Sequence, residues 1–159
     1  MNTDLSADDV LEMALRIETD ASAFYRNAAS AASNPSCRGV LEDLATMESE
    51  HGEVFATMKA QPTPPPDVSP AKTGRKFPGL TITLASGVHD DLVERFTGRE
   101  TDDEILRKAI VFEKDSIVFF LHMKSLLGSH LERGRIDALI TEELGHVLNL
   151  TGQLTSPKM

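Results

Sequence analysis

"MESEHGEVF" (residues 47–55) sets a glutamate and a histidine three positions apart inside a segment with helical periodicity. Val40, Leu41, Leu44, Met47, Phe55 and Met58 form its apolar stripe, and Glu48 and His51 fall on that same stripe. Residues i and i+3 of a helix lie on one face, about 60° apart, so the two side chains can approach a common centre. A single pair of this kind is weak evidence, because acidic turns are common on solvated helices. What gives it weight is a second copy.

The chain carries an internal repeat at one fixed offset. "ALRIETDASAFY" begins at Ala14 and "AIVFEKDSIVFF" begins at Ala109, 95 residues later. Glu18 falls on Glu113, Asp20 on Asp115 and Phe24 on Phe119. At the same offset Glu48 falls on Glu143 and His51 on His146, so "MESEH" and "EELGH" are equivalent stretches of two helical hairpins. Glu18 and Glu113 also stand on apolar stripes. Four carboxylates and two imidazoles are thereby directed into one interior. Buried charges need partners, and two divalent cations would balance four carboxylates while neutral imidazoles fill coordination sites. Glu142 is an alternative to Glu143 through an i, i+4 pairing with His146, although the stripe and the offset favour Glu143.

The helices that carry these residues can be bounded. Ser6 starts a pattern with Asp8 and Asp9 in its first turn, where the helix dipole favours carboxylates, and Leu11, Ala14, Leu15, Glu18, Ala21, Tyr25, Ala28 and Ala29 recur at helical spacing. Asn34 can cap the next helix with Pro35 in its first turn. Thr101 and Glu104 have capping-box spacing before a third stripe of Leu106, Ala109, Ile110, Glu113, Ser116, Ile117 and Phe120. Gly128 breaks the chain. The fourth stripe is Ile136, Leu139, Ile140, Glu143, His146, Val147, Leu150 and Leu154. The expected helices are therefore about 6–32, 35–59, 101–127 and 131–154.

Between the hairpins, "QPTPPPDVSPAKTGRKFPG" is proline-rich and has no helical period. Leu80, Ile82 and Leu84 then alternate, as in an extended segment lying on an apolar surface, and "DDLVERF" (90–96) suits a short helix. This connection, about 60–100, can travel the roughly 35–40 Å of a bundle helix and start the third helix parallel to the second. The expectation is one all-α domain over 1–159, a four-helix bundle of two hairpins joined by a long crossover. Such a crossover also permits hairpin exchange, so a homodimer, swapped or not, is expected.

Composition agrees and excludes alternatives. Aromatics make up 5% of the 159 residues and tryptophan is absent, so the core must be aliphatic, which suits helices better than a sandwich. The net charge of −9 without a basic cluster argues against nucleic acid. Cys37 is the single cysteine, which excludes an intrachain disulfide and any four-thiolate centre. An acidic N-terminus and the short apolar run "SIVFFLHM" indicate neither a signal peptide nor a membrane span, so a cytoplasmic protein is expected.

"ALRIETDASAFYRNAA", "LEDLATMESEHGEVF", "AIVFEKDSIVFF" and "ITEELGHVL" resemble the rubrerythrin-type members of the ferritin-like superfamily, over roughly residues 8–59 and 101–154. The resemblance implies a ferritin-like bundle holding two iron ions, with manganese or a mixed pair as variants. It implies that Glu48 and Glu143 bridge the metals, that Glu18 and His51 complete one coordination shell, and that Glu113 and His146 complete the other. It further implies a non-haem oxidoreductase that reduces peroxide or dioxygen; a ferroxidase or iron-storage protein and a bundle with a purely structural metal are the alternatives. Two departures stand out. Rubrerythrins proper carry a four-cysteine rubredoxin-like domain, so with one cysteine this chain needs an external electron donor. They also often carry a further glutamate one turn after the third-helix ligand, where this chain has Ser116.

Tyr25 lies two turns beyond Glu18 on the same face and could hydrogen-bond a ligand carboxylate or serve as a redox neighbour; its counterpart is Phe120, which equally suits core packing. Asp20 and Asp115 point away from the glutamates and suit solvent. His89, His122 and His130 fall outside the E-x-x-H pattern and are read as incidental. Cys37, beside a helix start, is placed for a lowered thiol pKa.

Overall fold

Asn34 and Pro35 begin a helix as their chemistry dictates. The Asn34 side chain accepts from the backbone N–H of Ser36 and Cys37, and Pro35 occupies the first turn, where no intrahelical partner for its nitrogen is needed. In the computed structural model, which describes residues 7–61 and 96–156, four helices follow in order: α1 (Ala7–Ala31), α2 (Pro35–Ala60), α3 (Asp102–Leu126) and α4 (His130–Thr155). All regular structure among the described residues is helical. Ser6, the alternating Leu80, Ile82 and Leu84, His89 and nearly all of the 90–96 segment lie outside the described residues.

The third helix opens with the expected capping box. Thr101 accepts from the Glu104 N–H, and the Glu104 carboxylate accepts from the Thr101 N–H at 2.8 Å. A second capping box, formed by Ser129 and Glu132, opens α4 just after the Gly128 break.

Contacts at the ends of the helices set their directions. Asp102, at the start of α3, accepts from the N–H groups of Ser33 (2.7 Å) and Asn34 (2.9 Å) in the α1–α2 turn. α3 therefore starts where α2 starts and runs parallel to it. At the other end Arg135 donates to Gln61, which brings the start of α4 to the end of α2, so these two helices are antiparallel. The bundle is thus two hairpins, α1–α2 and α3–α4, with α1 packed on α3 and α2 on α4.

The core comes in two apolar clusters. One, toward the α1–α2 turn, includes Phe24, Tyr25, Leu41, Leu44, Ile105 and Phe112, with Phe24 and Phe112 stacked at 5.3 Å. The other includes Val10, Phe55, Phe119, Phe120, Met123 and Ile136 at the opposite end. Between them lies a buried polar layer. No helix among the described residues is long and apolar enough to cross a membrane.

Candidate metal centre

Each of the four helices sends side chains into that layer. α1 contributes Glu18, α3 contributes Glu113, α2 contributes Glu48 and His51, and α4 contributes Glu143 and His146. All six are buried, with 1–6% of their surface exposed. The apolar stripes foreshadow this, because a residue on a core-facing stripe has nowhere else to go.

Their atoms converge in two overlapping groups. Glu18, Glu48, His51 and Glu143 each offer one ligand atom within 4.8 Å of the others, and so do Glu48, Glu113, Glu143 and His146. Glu48 and Glu143 belong to both groups. His51 Nδ1 lies 3.0 Å from Glu143, 3.3 Å from Glu48 and 3.9 Å from Glu18. His146 Nδ1 mirrors it, at 3.0 Å from Glu48, 3.1 Å from Glu143 and 3.5 Å from Glu113. The two imidazole rings stack at 5.5 Å. The 95-residue repeat is therefore an approximate two-fold relation in space.

The protons of this layer follow from its crowding. Burial raises the Glu18 carboxyl well above its ordinary value, and the neighbouring Glu48, Glu143 and Glu113 push it the same way. Burial likewise raises Glu113, against the pull of His146. Burial also opposes ionisation of Glu48 and Glu143, but the two histidines outweigh it and both carboxyls are lowered. For the histidines burial favours the neutral ring, yet the facing carboxylates win: His51 rises to about 10 and His146 to about 12. Two raised histidines thus face two lowered carboxyls, while burial makes Glu18 and Glu113 the carboxyls that hold a proton most readily.

Hydrogen bonding leaves part of the layer unsatisfied. Glu18 Oε1, Glu48 Oε1, His51 Nδ1 and Glu143 Oε1 are buried and make no aligned hydrogen bond, although charged neighbours stand close by. Native interiors rarely leave such atoms unpaired unless a ligand uses them. Six oxygen and imidazole donors in two overlapping groups of four suit two divalent ions of the iron or manganese kind.

Two neighbours complete the surroundings. Tyr25, fully buried on α1, donates its hydroxyl to Glu113 Oε1 on α3. Its phenol is held protonated by burial and by the nearby carboxylates. Glu142 is outside the cluster, with 60% of its side chain exposed, and its Oε2 lies 2.9 Å from His51 Nε2. It therefore faces the ring nitrogen opposite the one that points at the carboxylates. The sequence offers Glu142 as a partner of His146; in the fold its contact crosses from α4 to α2. Its repeat counterpart is Met47, so no repeat signal marked it.

Other sequence candidates lie elsewhere. Asp115 is exposed and Asp20 half-buried. The expectation for Cys37 is corrected: the thiol is buried, and burial together with Asp102 and Asp103 pushes it up to about 11, because the acidic first turn of α3 packs beside it. The helix N-terminus does not prevail over those charges.

The rubrerythrin family model matches residues 9–152. The chain belongs to the rubrerythrin family. Among solved structures, this rubrerythrin-family chain is similar to a protein from Thermotoga maritima assigned as ferritin-like and diiron-carboxylate. The two are 23% identical, with a TM-score of 0.69 and 97% of each chain covered, which establishes a shared fold. No curated protein is a match to the chain.

Proposed function

We propose that this rubrerythrin-family chain is a non-haem di-iron oxidoreductase that reduces peroxide or dioxygen with electrons from an external donor. One observation carries the reading: Glu48 and Glu143 each belong to both four-atom groups, as carboxylates bridging two ions must. In this reading Glu18 and His51 complete one iron's shell, and Glu113 and His146 complete the other's. Manganese in one or both positions is compatible with the same donors.

When bound, the two ferrous ions supply one electron each to cleave the O–O bond of peroxide, which takes up two protons and leaves as two waters. The chain's own part is to hold the ions and manage charge. The carboxylates of Glu48 and Glu143 face both positions, so neither position can be filled without affecting the other. Tyr25 orients Glu113 through its hydroxyl, and Glu142 fixes the His51 ring from the far side. Two apolar clusters flank the layer and limit water around it.

A homodimer is part of this proposal. α3 and α4 turn Val118, Leu121, Leu144 and Leu148 outward, at 50–73% exposure. A face rich in apolar side chains is where two chains of net charge −9 can meet with least repulsion.

The test is anaerobic loading with ferrous iron followed by oxidant. Uptake of two irons per chain and a near-ultraviolet diferric band, with turnover when a reductant is supplied, supports the reading. A protein that binds the ions but never oxidises them would reduce the site to a structural one. Growth of a mineral core inside a large cage would favour iron storage.

A further inference from the structure

The 95-residue repeat relates the two hairpins closely at the metal layer, but their outer seams differ. Along the α1–α2 seam runs a cavity of about 270 Å³ lined by Leu15, Thr19, Ser22, Glu48, Gly52 and Glu53, among others. Thr19, Ser49, Glu53 and Ala56 are exposed at its mouth, and Ser22, Gly52 and Glu48 are buried at its floor. Glu48 is the one residue of the six-member layer on that floor, and its Oε1 is among the buried atoms without an aligned hydrogen bond.

The equivalent positions of the α3–α4 hairpin carry bulk. Leu15, Ser22, Ser49 and Gly52 correspond to Ile110, Ile117, Leu144 and Val147. Where one seam has hydroxyls and a missing side chain, the other has branched aliphatic groups. No clash requires Gly52, since a Cβ there would sit at ordinary contact distance, 3.6 Å from Glu18 Cβ and 3.7 Å from Leu15 Cδ1. The backbone does not require it either, because it lies within a regular helix. A helix-interior glycine costs about 1 kcal/mol relative to alanine, so the open floor is maintained against local stability.

We infer that the α1–α2 seam is the passage by which hydrogen peroxide reaches the centre at Glu48, with Gly52 keeping it open. This rests on the di-iron reading above. The lining selects the molecule. Thr19 and Ser22 spend their hydroxyl protons on the Leu15 and Ala45 carbonyls, so what they offer inward is acceptor lone pairs. Hydrogen peroxide has two O–H donors to give them, whereas dioxygen has none. Glu48 and Glu53 on the wall disfavour an anion, and the acceptor lone pairs favour a small molecule with protons to donate.

Gly52→Val and Ser49→Leu import the residues of the α3–α4 seam, one at the floor and one at the exposed rim, where the fold tolerates change. Each is first assayed for metal content, then followed by stopped-flow oxidation of the ferrous protein and by water-proton relaxivity of the manganese-loaded protein. The expected result is two ions per chain, lowered relaxivity, and peroxide oxidation slowed about tenfold, with oxidation by dioxygen little changed. Wild-type peroxide rates and relaxivity in both variants would overturn the passage. Equal slowing of both oxidants would overturn the selection of peroxide. A wild-type protein that holds no metal would overturn the di-iron reading itself, and the passage with it.

Discussion

Glu142 Oε2 lies 2.9 Å from His51 Nε2, while the repeat counterpart of Glu142 on the other hairpin is Met47, which carries no charge. The two halves of the centre are therefore supported unequally. A carboxylate behind a ligating histidine fixes its ring and raises its basicity, and loss of such a partner typically costs about 10–100-fold in metal affinity. Glu142→Ala is expected to weaken one of the two ions by that order and to leave the other near its wild-type affinity. Chelator competition resolved into two binding steps checks this, and two equally weakened steps would contradict it.

Metal loading should release protons. The metal-free layer holds them on His51, raised to about 10, and on His146, raised to about 12, and burial raises Glu18 and Glu113 in the same direction. Bound ions need neutral imidazoles and ionised carboxylates, so at neutral pH between about two and four protons leave per chain on filling both positions. Calorimetry in buffers of different ionisation enthalpy counts them. Affinity should fall as pH falls.

Stability of the metal-free chain should depend on pH in the opposite sense. A histidine whose folded pKa lies above its unfolded value of 6.5 contributes stability that is full below that value and lost as pH rises through the folded one. Glu18 and Glu113, also raised, act in the same direction above their unfolded value. The lowered Glu48 and Glu143 contribute fully above their unfolded value and change little across this range. Melting of the metal-free protein should therefore drop between about pH 7 and pH 10, while metal-loaded protein, with its histidines already neutral, should show a much smaller drop. Thermal scans of both forms across that range decide the point.

Tyr25→Phe removes a buried donor and leaves Glu113 Oε1 without it. The expected loss is about 1–3 kcal/mol of folding stability, measured by urea unfolding. Both ions should still bind, because the phenol is not among the six donors.

Leu148→Glu places a charge among the exposed apolar side chains of α3 and α4. If that face joins two copies, sedimentation velocity should show the variant as monomer and the wild type as dimer. A wild type that sediments as monomer would remove the dimer from the account.

The architecture was largely legible because its signals are local and periodic. Asn34–Pro35 and Thr101–Glu104 start their helices by short-range hydrogen bonds that any reader of the chain can anticipate. The six residues of the polar layer were legible because charged side chains on apolar stripes have one place to point, and because the repeat counted each of them twice. The Ser129–Glu132 box had the right spacing, but the nearby Gly128 break masked it. What escaped depends on packing between helices. The contact of Glu142 with His51 crosses from α4 to α2, and the α1–α2 cavity exists only once those two helices pack against each other. The raised Cys37 thiol is not legible for the same reason, since the acidic turn beside it comes from a helix that begins more than sixty residues later.

The central claim is that Glu48 and Glu143 join two metal positions into one centre. Elemental analysis of protein purified from its native source, compared with a Glu48→Ala/Glu143→Ala variant that remains folded by circular dichroism, tests it most directly. The account predicts about two iron or manganese ions per chain in the native protein and almost none in the variant. A native protein with no bound metal, or a variant that keeps both ions, would contradict it.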